Sequence, residues 1–150
     1  MRDIIRGHVI EHLGDDAAVL VIDETGFLKQ DKSSCRVGRQ YTGSVGKITN
    51  CQIGVFATDV SGKGHAFIDG ALYLPKPWTS DPARLAAGHV PEAVTFATKP
   101  KLAVDMVARA LAADVPFAWI AADSVYGVGE LENALRRAGE GYVLLSLIHI

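Results

Sequence analysis

Two aspartates, each directly after a short apolar run, are the residues whose type and position could do chemistry. Asp23 follows the run 18–22 and Asp123 follows the run 117–122. A buried strand that ends in a carboxylate presents that charge where a cation can reach it. Two such carboxylates side by side repel each other unless a cation lies between them, and hard divalent cations prefer oxygen ligands. The alternative for each residue is an ordinary helix-cap or turn aspartate.

A basic segment follows the first aspartate. Between residues 29 and 47 five cationic residues accompany a single acid, Asp31; the five are Lys29, Lys32, Arg36, Arg39 and Lys47. Such a patch suits contacts with a nucleic-acid backbone. We take Lys29, Arg39 and Lys47 as candidate DNA-binding residues, with Tyr41 available for stacking. The alternative is a solvated loop without a ligand.

Two short motifs suggest other chemistry and are weaker. Residues 8–12 fit the H-x-x-E-H pattern of inverted zinc peptidases, but no third ligand helix accompanies them, so surface histidines are the preferred interpretation. Residues 42–47 resemble a phosphate loop only in part, because Tyr41 stands where glycine is required and Ile48 where serine or threonine is required. We reject that motif.

Two further residues receive structural roles. Trp78, in a proline-rich stretch, could stack on a base, but packing that stretch onto the protein is favoured. Asp69 lies within an expected strand, and a cross-strand or turn role is favoured over catalysis.

Composition limits the class of protein. The 150 residues suit one domain, and 49% hydrophobic with 21% charged residues is typical of an ordered α/β protein. A net charge of −2 argues against a self-sufficient nucleic-acid binder. No apolar run approaches the length of about 18 residues that spans a membrane. Cys35 and Cys51 are too few for a disulfide framework, so we expect free thiols and a cytoplasmic location.

The periodicity predicts an α/β fold with a mixed five-stranded sheet. Expected strands are 18–22, 50–59, 65–74, 117–121 and 142–147; expected helices are 3–13, 100–114 and about 129–138. Residues 27–46 are expected to form a loop or irregular hairpin, and 74–94 a long connection. The first three strands form an antiparallel meander, followed by helix, strand, helix and strand. A right-handed crossover can place the fourth strand parallel to the first, so that Asp23 and Asp123 converge, as in an RNase H-like sheet.

Several sequence blocks, in order, resemble bacterial insertion-sequence transposases of the DDE superfamily. The blocks are Val21–Lys29, Arg39–Tyr41, Leu72–Trp78, Phe96–Pro100 and Ala122–Gly127. The likeness extends from about Asp15 to about Val143. It implies an RNase H-like catalytic core that cuts and rejoins DNA with two Mg²⁺ ions, with Mn²⁺ as an alternative. Asp23 matches the first catalytic, metal-binding aspartate of the family and Asp123 the second. The implied partners are double-stranded DNA, both transposon ends and target, and further copies of the full-length protein, with no membrane.

The sequence departs from that family in two places. The family's third acidic ligand, a glutamate, follows an insertion beyond the fifth strand, and this sequence offers no counterpart for it. The family also carries a DNA-binding region before the first catalytic strand, where this sequence has only the short helix 3–13. We therefore expect residues 1–14 to be a helical remnant of an upstream region and residues 15–150 a partial catalytic domain. Such a fragment should be inactive alone. The alternative is a non-catalytic remnant with at most weak DNA binding.

Overall fold

A computed structural model describes residues 1–127 and 129–145, which form two compact units. Unit 1 comprises Met1–Asp23, Phe56–Gly70 and the chain from Lys99 onward; unit 2 comprises Glu24–Val55 and Ala71–Thr98. In chain order the elements are α1 (Arg2–Leu13), β1 (Val19–Leu28), β2 (Gly38–Thr42), β3 (Lys47–Ser61), β4 (Gly64–Leu72), α2 (Lys76–Thr79), α3 (Pro82–Ala87), α4 (Lys99–Ala112), β5 (Trp119–Ala122), α5 (Glu130–Ala138) and β6 (Tyr142–Leu144).

The strands form one mixed sheet in the order β2-β3-β1-β5-β6, with β4 paired to β3. Strands β1 and β5 are parallel, as are β5 and β6, whereas β2 and β3 are antiparallel. The predicted α/β fold class with a mixed sheet is therefore confirmed, including the parallel pairing of the two aspartate-bearing strands. The predicted strand count is wrong by one, because the described residues form six strands rather than five.

The additional strand is β2, which lies inside the segment 27–46 for which the sequence predicts a loop or irregular hairpin; β2 and the start of β3 form an antiparallel pair, as in the second alternative. Its sequence, Gly-Arg-Gln-Tyr-Thr, lacks the apolar alternation that marks a strand, and within it only Thr42 is buried. Its residues pair with Lys47–Cys51 of β3, and β2 lies at one end of the sheet order. Strand formation in such a polar segment depends on its pairing partner, which local composition does not reveal.

The core of unit 1 explains why the flanking segments are helical. Helix α4 buries Ala103, Met106, Val107 and Ala110, a spacing of three and four residues that defines one helix face. Helix α5 buries Leu131 and Leu135 and contacts α4. It ends at Gly139, whose φ of 74° is a left-handed conformation that glycine adopts without strain. On the sheet, Leu20, Ile22 and Ile120 are fully buried.

Unit 2 has a small core of its own, in which the predicted long connection takes part. Residues 74–94 include the short helices α2 and α3, and Leu74 and Trp78 pack with Val37 in a buried cluster. Leu85, Val90 and Val94 pack against this cluster. The connection is therefore a folded part of unit 2, with proline residues at or near the starts of the short helices.

Two expectations concern the chain beyond the core elements. The predicted strand 142–147 corresponds to β6, Tyr142–Leu144, and Ser146 and Leu147 lie outside the described residues. Among the described helices, none combines the length and the apolar character that crossing a membrane would require.

Candidate active site

The two aspartates predicted to do chemistry lie at matched positions on adjacent parallel strands of unit 1. Ile22 of β1 pairs with Ala122 of β5, and Asp23 and Asp123 are the residues that directly follow this pair. Neighbouring strands lie about 4.8 Å apart, so this register brings the two residues to the same edge of the pair. Leu20 and Ile22 point into the core, and Asp23 follows the alternation to the other face and is exposed.

Both carboxylates line one pocket of about 430 Å³. The rest of the lining is aliphatic and comes from the same strands and from the chain around β6; it consists of Val21, Ile22, Ala121, Ala122, Val143 and Leu145. All of these residues belong to unit 1. Two acidic groups on otherwise apolar walls form a cavity whose polarity is concentrated at Asp23 and Asp123.

The chain after β5 fixes the orientation of the Asp123 carboxylate. The backbone N–H of Val125 donates to Asp123 Oδ1 at 2.9 Å, and the N–H of Tyr126 donates to the Asp123 carbonyl at 3.1 Å. Tyr126 is fully buried and anchors the turn. A side chain at Gly127 would place its Cβ 2.5 Å from the carbonyl oxygen of Leu145, so only glycine allows this close approach.

These contacts bear on the alternative that each aspartate is only a turn residue. Asp123 does stabilise the turn, through an Asx-type hydrogen bond, and it also lines the pocket. Asp23 lies within β1, which continues to Leu28, so it ends no strand and caps no helix. Asp123 therefore both stabilises a turn and lines the pocket, whereas Asp23 lines the pocket and belongs to no turn.

The donor set fits a hard divalent cation. Mg²⁺ is usually held by one or two carboxylates together with water and substrate phosphate. Asp23 and Asp123 supply carboxylate oxygens on one pocket wall, and the pocket has room for the remaining ligands. The like-charge repulsion between the two groups is relieved when a cation binds to them.

The three candidate DNA-binding residues all belong to unit 2, but they do not form one cluster. Arg39 and Lys47 are exposed on the antiparallel pair β2–β3, where Arg39 is opposite Asn50 and Lys47 is opposite Thr42. Because side chains alternate along a strand, this register puts Arg39 and Lys47 on opposite faces of the pair. Lys29 follows β1, and its backbone N–H donates to the Asn50 carbonyl at 3.0 Å.

Arg39 shares its face with Tyr41, which is 60% exposed. Arg39 also lines a pocket together with Lys32 and Arg84. Sequence reasoning does not find Arg84. The only available signal is its position six residues after Trp78, in a stretch that gives no reason to expect the two side chains to meet.

The remaining candidates have structural roles. Trp78 is 1% exposed and its Nε1–H donates to the Val37 carbonyl at 2.7 Å, so the packing interpretation holds. Asp69 is buried and pairs with Arg2 at 2.6 Å and Arg109 at 2.7 Å. Residues 43–46 form the turn between β2 and β3, and a strand rather than a helix follows them, which bears out the rejection of a phosphate loop.

The His8, Glu11 and His12 side chains are exposed on α1, as expected of surface residues. Their potential ligand atoms nevertheless lie within 4.8 Å of one another. His12 Nδ1 is 2.9 Å from the His8 carbonyl oxygen. This contact engages one of the two ring nitrogens of His12 with the helix backbone.

Comparison with known proteins assigns the family. Residues 1–144 match the family model described as DDE superfamily endonuclease. The chain therefore belongs to the DDE superfamily of endonucleases, and the resemblance seen in the sequence blocks is confirmed. No solved structure matches the chain at a significant level.

Among curated proteins, the chain is similar to the probable transposase for insertion sequence element IS701 of Microchaete diplosiphon. The two are 31% identical over 122 residues, which cover 79% of this chain and 28% of that protein. The matched region is thus less than a third of that relative's length.

Proposed function

We propose that this chain carries catalytic-core residues of a DNA transposase of an insertion sequence, with Asp23 and Asp123 as its catalytic and metal-binding carboxylates. The observation that carries the proposal is the pairing of Ile22 with Ala122, which sets both aspartates side by side on one pocket. The superfamily match and the similarity to the probable IS701 transposase support the assignment of DNA as substrate. The reaction is metal-dependent phosphoryl transfer, that is, DNA strand cleavage and strand transfer.

The chain's own residues would act by placement and charge. Asp23 and Asp123 would hold the divalent ions, and the hydrogen bond from Val125 N–H to Asp123 Oδ1 would keep that carboxylate in position. Two Mg²⁺ or Mn²⁺ ions held there would supply charge stabilisation for an in-line displacement at phosphorus. The attacking group is water in strand cleavage and a DNA 3′-hydroxyl in strand transfer.

We assign no residue of this chain to the third acidic ligand that the family resemblance implies. With two carboxylates, one ion is incompletely coordinated by protein. The chain alone should therefore bind divalent metal but nick DNA weakly or not at all. In the full-length protein, we expect cleavage and strand transfer of double-stranded DNA by an oligomer.

The test is metal binding by the 150-residue chain, measured by calorimetric titration with Mn²⁺ and Mg²⁺. Asp23→Asn and Asp123→Asn should each abolish a binding event seen with the unaltered chain. Asp16→Asn, which alters an exposed acid elsewhere in unit 1, should leave it unchanged. If the unaltered chain and all three variants bind metal equally, the two aspartates are not the metal site and the proposal is rejected.

A second candidate function, DNA binding without catalysis, is favoured by the composition of unit 2. That unit has seven lysine and arginine residues against four acids, which gives it a formal charge of +3. Such a protein would bind duplex DNA with strong salt dependence and would show no metal site. The titration separates the two candidates, because only the catalytic one requires Asp23 and Asp123 to bind Mn²⁺.

A further inference from the structure

Unit 2 contains a pocket of about 310 Å³ whose charged lining, among the described residues, is entirely cationic. Three basic side chains, Lys32, Arg39 and Arg84, contribute to its walls. The other lining residues are neutral: Val37, Gly38, Asn50, Pro75, Pro77 and Trp78. A cavity lined by three cations and otherwise neutral residues attracts an anion.

The Arg84 side chain is held in place by neutral groups. Its guanidinium carbon lies 4.3 Å from the centre of the Trp78 ring, and Nη2 donates to the Val37 carbonyl at 3.3 Å. Trp78 in turn donates from Nε1 to the same carbonyl at 2.7 Å. Stacking and carbonyl contacts orient the guanidinium without neutralising it, which is the arrangement that suits bidentate recognition of a phosphate.

Two acids near the pocket-lining residues in sequence are engaged elsewhere. Asp81 Oδ1 accepts from the backbone N–H of Arg84 at 2.9 Å and so caps α3. Asp31 accepts from the Ser34 hydroxyl and from the N–H groups of Ser34 and Ser33, at 2.6–2.9 Å. These hydrogen bonds, the one from the Ser34 hydroxyl first, lower the pKa of Asp31. Both carboxylates therefore stabilise local turns, and neither lines the pocket.

We propose that this pocket binds a backbone phosphate of duplex DNA, with Arg84 as the phosphate-binding residue and Lys32 and Arg39 flanking it. The proposal rests on the proposed function for the identity of the polyanion. Trp78 is 1% exposed and its indole is covered by Arg84, so its ring offers no surface for a base. Recognition is therefore of phosphate charge and geometry, and it does not depend on DNA sequence.

The test is duplex DNA binding by the 150-residue chain at several salt concentrations, in EDTA, followed by fluorescence anisotropy. Arg84→Gln should weaken binding about tenfold, as expected for loss of a charge-assisted hydrogen bond. It should also lower the slope of log K against log salt by about 0.9. Arg84→Lys should keep the slope and still bind less tightly, because lysine lacks the planar fork. Arg137→Gln, which removes an exposed charge from α5 in unit 1, is the matched control and should change neither quantity.

An Arg84→Gln chain that binds DNA with the affinity and slope of the Arg137→Gln control overturns the proposal. Thermal melts check that Arg84→Gln is folded. If it is not, Lys32→Gln, which alters an exposed side chain at the pocket, takes its place. An unchanged slope of log K against log salt in Lys32→Gln would then overturn the proposal. If inorganic phosphate saturates the pocket and duplex binding is unchanged, the pocket is a site for free phosphate. That result would also overturn the proposal. Preferential binding of RNA that depends on Arg84 would do the same.

Because EDTA removes divalent metal, these measurements are independent of the aspartate site. If the unaltered chain binds no divalent metal but binds DNA in a way that depends on Arg84, the catalytic proposal alone is rejected. Metal binding that depends on Asp23 and Asp123, with an inert Arg84, would reject the pocket proposal alone.

Discussion

The two compact units carry opposite charge. Unit 1 has eight lysine and arginine residues against thirteen aspartate and glutamate residues, a formal charge of −5; unit 2 has seven against four, a formal charge of +3. The pocket lined by Asp23 and Asp123 is in the acidic unit, and the cationic pocket of Arg84 is in the basic unit. The whole-chain charge of −2 is the sum of these two opposite charges, and it conceals both of them.

Within the acidic unit, the aspartate carboxylates differ in their burial and in the groups around them. Asp69 is buried but accepts from both Arg2 and Arg109. Asp59 is also buried, and neither of its oxygens has a hydrogen-bond partner among the described residues. Asp23 and Asp123 instead line a pocket where a cation from solution can reach them. Burial therefore separates Asp59 and Asp69 from the two acids that line a pocket.

The largest expected effect is the loss of metal affinity at the acidic pocket. Asp23→Asn should weaken Mn²⁺ binding by at least about 100-fold, because even residues that only support metal ligands are typically worth about 10–100-fold. In the full-length protein the same change should abolish Mg²⁺-dependent DNA cleavage. Calorimetry on the chain and a plasmid-nicking assay on the full-length protein measure the two effects.

The same variant should keep its fold. Removing one carboxylate from a like-charged pair relieves repulsion, so the metal-free melting temperature should be equal or slightly higher. A clear fall in that temperature would make Asp23 a structural residue and would remove the distinction between it and Asp69.

The second effect concerns the basic unit. Neutralising Lys29, Arg39 and Lys47 together should lower the slope of log K against log salt by about 0.9 for each duplex phosphate contact that is lost. The single variants refine this prediction, since Arg39 and Lys47 lie on opposite faces of β2–β3. If duplex DNA binds to the face that carries Tyr41, Arg39→Gln should lower the slope of log K against log salt more than Lys47→Gln does. An unchanged slope in the triple variant would assign these residues to a solvated surface.

The third effect is on stability. Asp69→Asn should lower the free energy of unfolding by about 2–3 kcal/mol, less than the roughly 3–5 kcal/mol typical of fully buried pairs. The reason is that the Arg2 and Arg109 side chains are 44% and 35% exposed and keep part of their hydration. Glu132→Gln, which breaks the surface pair with Arg136 on α5, is the control and should cost clearly less than Asp69→Asn. Equal losses in urea titrations would show that Asp69 contributes no more than a surface acid.

These contrasts show which features could be predicted from sequence. The apolar runs before Asp23 and Asp123 and the helical periodicity of residues 102–111 are local patterns, and they correctly predict two strands and α4. The right-handed crossover between the two strands predicts that they are parallel. β2 is polar and depends on pairing with β3, and local composition therefore misses it. Arg84 is missed for the same reason: its partners Val37 and Lys32 are 47 and 52 residues away in sequence and become neighbours only through folding.

The charge difference between the units is invisible in the sequence for a related reason. Unit 2 is assembled from two separate segments, Glu24–Val55 and Ala71–Thr98, whose charges combine only in the folded chain. The basic run between residues 29 and 47 marks the first segment, but no comparable run marks the contribution of Arg84 in the second. Net charge per folded unit is a better guide to a polyanion surface than net charge per chain.

The smallest expected effect concerns Asp59, whose pKa is raised by burial and, to a lesser extent, by the charge of Asp15. A carboxyl group with a raised pKa in the folded state holds its proton more tightly there than in the unfolded state. Below the ordinary value of 3.8 both states are protonated and the group has no effect on stability. As the pH rises through that value toward the folded pKa, the unfolded state releases its proton first, so stability falls and then levels off.

Asp59→Asn should remove this loss, because an asparagine side chain cannot ionise. The free energy of unfolding of the variant, relative to the unaltered chain, should rise with pH by about 1.4 kcal/mol for each unit by which folding raises the Asp59 pKa. Any fixed cost of a buried amide is the same at every pH and cancels in this comparison. Urea titrations at several pH values from about 4 to about 7, the range above the unfolded carboxyl pKa, measure the difference. A difference that is constant with pH would mean that Asp59 titrates alike in both states, and that its burial, unlike the pairing of Asp69, has no electrostatic consequence.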